Sequence, residues 1–202
     1  MQHPLEFVPT EYRRPFFFTF LFLTLVLFAI FRVLDKPLRT DAAPNGIVSF
    51  ELAGDSQTAR SITDSWKQTG RSLGSVAGQS NADIVNLPYA FAAFGLGIDY
   101  LFMPLYALAL AFGTLLAAQK HEGWIQSIGA LAGYGAFVAA LFDAVENFAL
   151  WRVLLGAIES AYPAIAAFCA TVKFALLLFG LVYGLVGWML PKLPASHFGS
   201  TS

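Results

Sequence analysis

The chain has 202 residues, 57% hydrophobic and only 12% charged, with a formal net charge of −1. Soluble domains carry about 25% charged residues, so this composition excludes an ordinary water-soluble domain, and the near-zero charge offers no field to draw nucleic acid. Cys169 is the only cysteine, which excludes an internal disulfide and any cysteine-based metal spacing.

The first apolar element runs from Pro15 to Leu34, between Arg13-Arg14 and Asp35-Lys36-Pro37. It is long enough to cross a hydrocarbon core of roughly 30 Å. Its uninterrupted run, Phe16 to Phe31, exceeds a signal-peptide core, and Arg32, Lys36 and Arg39 separate it from the small pair Ala42-Ala43. It therefore reads as an uncleaved anchor. Phenylalanines surround it and no small-residue stripe runs along it, which places it at the edge of a bundle, facing lipid.

Residues 36–88 form the one sizeable extramembrane loop. Val48, Phe50 and Leu52 alternate with Ser49 and Glu51, a pattern that predicts a short strand or extended segment. Asp55 or Ser56 is placed to cap a helix reaching Gln68, with Gly70 as its stop. Ala59, Ile62 and Trp66 form one apolar stripe on it. Two readings fit that stripe: a lid or an interfacial helix over the mouth of the bundle, or a helix packed on its own loop. Gly70 to Ser80 reads as a flexible connection, and Asn81 as the start of a helix that bends at Pro88.

Three further spans follow at 89–118, 124–152 and 162–190. With the 15–34 span they predict an all-α integral membrane four-helix bundle, in which 1–202 is a single membrane domain. Four crossings put both termini on one side. Lys and Arg are nearly balanced across the two sides, and the Arg13-Arg14 pair weakly points to cytoplasmic termini in a plasma (inner) membrane. Trp124 and Trp188 would mark one interface; Tyr89, Trp151 and Tyr162 would mark the other. Short links make sequential spans antiparallel neighbours. Gly129, Gly133, Ala136, Ala140, Asp143 and Asn147 recur at three or four along the third span, forming one close-packing face. Gly180 and Gly184 do the same on the fourth.

Four ionisable residues lie inside these spans: Asp99, Asp143, Glu146 and Lys173. A central Asp or Lys costs roughly 2.5 to 3.5 kcal/mol on insertion scales. At 1.5 Å per residue, Asp99 lies ~15 Å in from Tyr89, Asp143 ~13 Å and Glu146 ~9 Å in from Arg152, and Lys173 ~16 Å in from Tyr162. All four fall in the half of the bilayer nearer the loop, which predicts one cluster shared by three helices. Asn147, Tyr100 and Tyr106 supply neutral hydrogen-bond partners, and Arg152 is placed to reach back towards Glu146. Pro104 frees the carbonyl of Tyr100 and predicts a kink. Three acids against one lysine call for protonated carboxylates, a bound cation or access of water.

The candidate ligand- or ion-binding residues are therefore Asp99, Tyr100, Tyr106, Asp143, Glu146, Asn147, Arg152 and Lys173. Cys169 shares a face with Lys173 and reads as a small buried hydrophobe. His3, His121 and His197 fall outside the apolar segments, which argues against a haem held by two histidines. No phosphate loop, nucleophile elbow or HExxH occurs, so no catalytic or metal residue and no cofactor is expected. The favoured function is binding or transport of a small molecule, ion or proton. The alternatives are an accessory or scaffold subunit of a larger membrane complex, and a lipid- or isoprenoid-modifying enzyme using Glu146 and Asp143 as acid and base. The expected partners are the bilayer and either further copies or a larger membrane complex, without nucleic acid.

Overall fold

The computed structural model describes residues 1–76 and 87–189, with side chains described for 1–71 and 87–189. Among them are six α-helices and no strand: α1 (Thr10–Leu34), α2 (Ile47–Glu51), α3 (Ser56–Val76), α4 (Leu87–Ala118), α5 (Trp124–Leu154) and α6 (Tyr162–Met189). α1, α4, α5 and α6 are each long and apolar enough to cross a bilayer, and the fold is an all-α membrane bundle. The positions expected for Asn81, for the end of the fourth span at Leu190 and for His197 lie outside the described residues.

α4, α5 and α6 pack on one another, and α1 packs chiefly on α4. α1 buries none of its residues, which follows from its ring of phenylalanines and lack of small side chains. Gly113 on α4 gives it a seat: a Cβ there would stand 3.1 Å from the Phe17 ring. The glycine stripe on α5 works by close approach. A Cβ at Gly129 would run into the Tyr183 hydroxyl, and at Gly180 of α6 it would stand 2.8 Å from Leu110. Gly184 takes no part, since nothing lies near its missing Cβ. α4 is continuous through Pro104.

The loop departs most from the sequence reading. Residues Ile47–Glu51 are helical, not extended. Alternation over five residues is too short to distinguish period 2 from period 3.6, and here Phe50 and Glu51 turn inward while Leu52 is left exposed. The Asp35 carboxylate accepts from Ile47 N–H at 2.8 Å and holds the start of this turn. Gly46 precedes it at φ +59°, with no room for a Cβ against Asp35. α3 begins as expected, with Asp55 accepting from Thr58 N–H at 2.9 Å. It does not stop at Gly70 but runs on to Val76, because a glycine only weakens a helix interior, by roughly 1 kcal/mol.

Ala59, Ile62 and Trp66 are fully buried, as the stripe predicts. They pack on Leu38 and Phe50 of the loop and equally on Ala92, Leu96, Leu150 and Val153 at the helix ends. Trp66 Nε1 donates to Leu38 O at 2.8 Å. α3 therefore packs on its own loop and, through the same stripe, against the loop-side ends of α4 and α5. A segment of this size is too small for a core of its own, so it shares the bundle's.

The amino-terminal residues fold against the spans. Leu5 and Val8 pack between α4 and α5, and His3 is buried against Gly133. His3 Nδ1 accepts from Leu5 N–H at 3.2 Å, and Nε2 lies 3.2 Å from Thr114 Oγ1. Because the Thr114 hydroxyl donates to Ala111 O, Nε2 must carry the ring proton. Burial lowers the His3 pKa to about 4. His121 is buried too, with Nε2 3.0 Å from Gly187 O near the end of α6. Histidines outside the apolar runs are thus enclosed by folding back onto them.

Candidate functional site

Three helices and the short turn α2 bring the ionisable residues together at the end of the bundle nearer the loop. Asp143, Glu146 and Asn147 are one helical turn apart on α5 and all buried. Lys173 approaches from α6, Asp99 and Tyr106 from α4, and Glu51 from α2. The Lys173 ammonium donates to Asp143 Oδ1 at 2.9 Å and to Glu146 Oε1 at 3.0 Å, with Glu146 Oε2 at 2.8 Å. It is 3.8 Å from Glu51 Oε2, beyond hydrogen-bond range. Tyr106 donates its hydroxyl to Asp143 Oδ2 at 2.9 Å, completing both oxygens of that acid. Asn147 Nδ2 donates to Asp99 Oδ2 at 2.9 Å and to Leu96 O at 3.3 Å.

Six of the eight candidate residues thus converge. Tyr100 stays at the rim, exposed, its hydroxyl donating to Ala144 O at 3.4 Å. Arg152 does not reach back to Glu146: it is exposed, with its guanidinium 5.7 Å from the centre of the Tyr162 ring. A helix directs long side chains toward its amino terminus, but Glu146 is already enclosed by Lys173, and the half-exposed Tyr162 offers Arg152 a contact that keeps its charge in water. Cys169 is buried and free.

Sequence reasoning missed Glu51. It is 8% exposed, and burial pushes its carboxyl above the ordinary range. The available signal was an acid among Ile47, Val48, Phe50 and Leu52, a run too apolar for an open loop.

These groups form one wall of a cavity of about 410 Å³. Glu51, Asp99, Asp143 and Lys173 line it, while Glu146 lies behind them. Its other walls are apolar, from Phe31 and Leu34 of α1, Phe102 of α4 and Leu177 of α6. Arg32, Asp35 and Arg39 stand at the loop-facing end, where Arg39 Nε donates to Asp35 at 2.8 Å. A volume of several hundred Å³ with apolar walls and a few convergent polar groups is the usual form of a small-molecule site. Among the described residues no three His, Cys, Asp or Glu side chains are arranged to hold a metal ion.

The fold and this wall define the protein as an integral membrane bundle with a buried ionisable cavity. Comparison with known protein families, curated proteins and solved structures finds no match.

Proposed function

We propose that this protein binds a small molecule in the cavity and that its carboxylates exchange protons or cations as the molecule binds or crosses. The observation that carries this reading is the charge imbalance of the cluster: Glu51, Asp143 and Glu146 all lie within 3.8 Å of the Lys173 ammonium, and Asp99 adds a fourth acid at the cavity wall. Lys173 neutralises part of the charge. The remaining excess is costly in a low-dielectric site unless protons, a cation or a charged ligand offset it. A purely structural ion pair needs neither the surplus acids nor an adjoining cavity. Assembly of several copies is part of the proposal, as is a plasma (inner) membrane location with cytoplasmic termini.

The test is flux in reconstituted vesicles carrying an internal pH dye. An imposed gradient drives proton or cation movement through the parent protein, and Asp143→Asn abolishes it. Vesicles that show no pH- or cation-dependent flux, and no change with the variant, end this reading.

A second reading, an accessory subunit of a larger membrane complex, is favoured by α1, which buries nothing and turns Phe18, Phe22 and Leu25 outward. Purification in mild detergent distinguishes it: a subunit brings partner bands with it, whereas a free-standing protein elutes as one species.

A further inference from the structure

We infer that the cavity takes a lipophilic cation: an amine or guanidinium head held at Glu51 and Asp99, carried on an apolar body that lies among the α1, α4 and α6 side chains. This rests on the reading of the cavity as a binding site and names the class of molecule it accepts.

The head group follows from which acids are already satisfied. Both oxygens of Asp143 are taken, one by Lys173 and one by Tyr106. Glu146 lies behind the wall, in contact with Lys173. Glu51 is different. It lines the cavity, is more than nine-tenths buried, and its Oε2 has no hydrogen-bond partner. Asp99 has one oxygen held by Asn147. A carboxylate that has given up its proton is an acceptor only, so a bound cation favours the ionised form of Glu51 that burial alone disfavours, and the cavity then offers acceptors and negative charge to a donor that carries positive charge. An anionic head would meet Glu51 and Asp99 head-on, and would find Lys173 already engaged by two acids.

The rings point the same way. Phe31, Phe102 and Tyr106 line the cavity as a chain of edge-to-face contacts, each with centroids 5.2 Å apart. Aromatic faces attract cations, more strongly when water is excluded. An acid beside such a chain is suited to an alkylammonium or guanidinium head.

The lipophilic body follows from where the cavity opens. α1 and α6 both line it, yet α1 packs on α4 and forms no comparable interface with α6. Phe28 and Phe174 flank this gap, 54% and 39% exposed, on surfaces that face lipid in a spanning bundle. The loop-facing end carries Arg32 beside the Arg39–Asp35 pair, a net positive charge that opposes a cation arriving from water. A cation already dissolved in the bilayer avoids it.

The test uses the full chain in lipid nanodiscs and three probes of one skeleton: 4-(1-naphthyl)butylamine, 4-(1-naphthyl)butanol and 4-(1-naphthyl)butanoate. Binding is read by naphthyl fluorescence against empty nanodiscs. The amine is expected to bind at least tenfold more tightly than the alcohol, with no specific binding of the butanoate. Glu51→Gln removes a buried charge without changing shape. It is expected to weaken the amine tenfold or more and leave the alcohol unchanged. Phe31→Leu, on the lipid-facing helix, narrows the preference for amine over alcohol without unfolding the bundle. Equal or tighter binding of the alcohol or butanoate overturns the inference, as does an amine affinity indifferent to Glu51→Gln. If that happens while Asp143-dependent flux persists, only the cationic class falls. If no probe binds and no flux is seen, the binding reading falls with it.

Discussion

Replacing Lys173 with methionine tests whether the site is one electrostatic unit. Lys173 is 5% exposed, and its ammonium is within hydrogen-bond range of Asp143 and Glu146. Lys173→Met keeps the length of the side chain and removes its charge, leaving Glu51, Asp99, Asp143 and Glu146 with no cation among them. Opposite charges 4 Å apart attract by about 4 kcal/mol at an effective dielectric constant of 20. Much of that offsets desolvation, so the pair itself adds little net stability. Removing one partner is another matter, because the other charges stay buried, and the usual cost is about 3–5 kcal/mol. Unfolding followed by tryptophan fluorescence in mild detergent at neutral pH measures this. Adding Asp143→Asn and Glu146→Gln to Lys173→Met removes the stranded charges at nearly constant volume and should restore most of the loss. If Lys173→Met alone stays within about 1 kcal/mol of the parent, the range of a solvent-exposed pair, the account of a buried, mutually dependent cluster is wrong. A triple variant no more stable than the single one would also refute it.

Three further perturbations have defined outcomes. His3 has a pKa of about 4 against an ordinary 6.5, so its docked form resists protonation. Docking of the amino-terminal segment is at full strength above about pH 6.5 and weakens as the pH falls towards 4, by up to ~3 kcal/mol. The protection factor of the Leu5 amide, corrected for the intrinsic pH dependence of exchange, should therefore fall in acid in the parent and not in His3→Gln; equal protection at pH 7.5 and 4.5 removes the argument. Trp66→Ala deletes a fully buried ring and its bond to Leu38 O, at about 3–5 kcal/mol. Limited proteolysis should then cut within 36–76 under conditions that spare the parent. Gly46→Ala forces a left-handed backbone costing about 1–2 kcal/mol and drives a methyl into the Asp35 carboxylate. It should displace α2 and, with it, Glu51, lowering the melting temperature; a variant that melts like the parent means the turn is not held as described.

The four spans were legible because hydrocarbon is an exacting solvent. It requires long apolar runs with every backbone group bonded internally, and such runs stand out in any sequence. The shared depth of Asp99, Asp143, Glu146 and Lys173 was legible for the same reason, since helical rise converts residue number to depth. Trp66 on its stripe was readable from period alone. Arg152 was not, because its direction depends on a contest between Glu146 and Tyr162 that spacing does not decide.

Sequence by itself determined how many times the chain can cross a membrane, which helix faces are small or polar, and that charge gathers near one end. Those properties are local, set by hydropathy and helical period. Tertiary structure alone decided that Glu51 joins the acids, that His3 and His121 are enclosed, and that α1 and α6 stand apart around a cavity. Each of these depends on segments distant in sequence meeting in space, where burial and hydrogen-bond geometry, not composition, choose the partner.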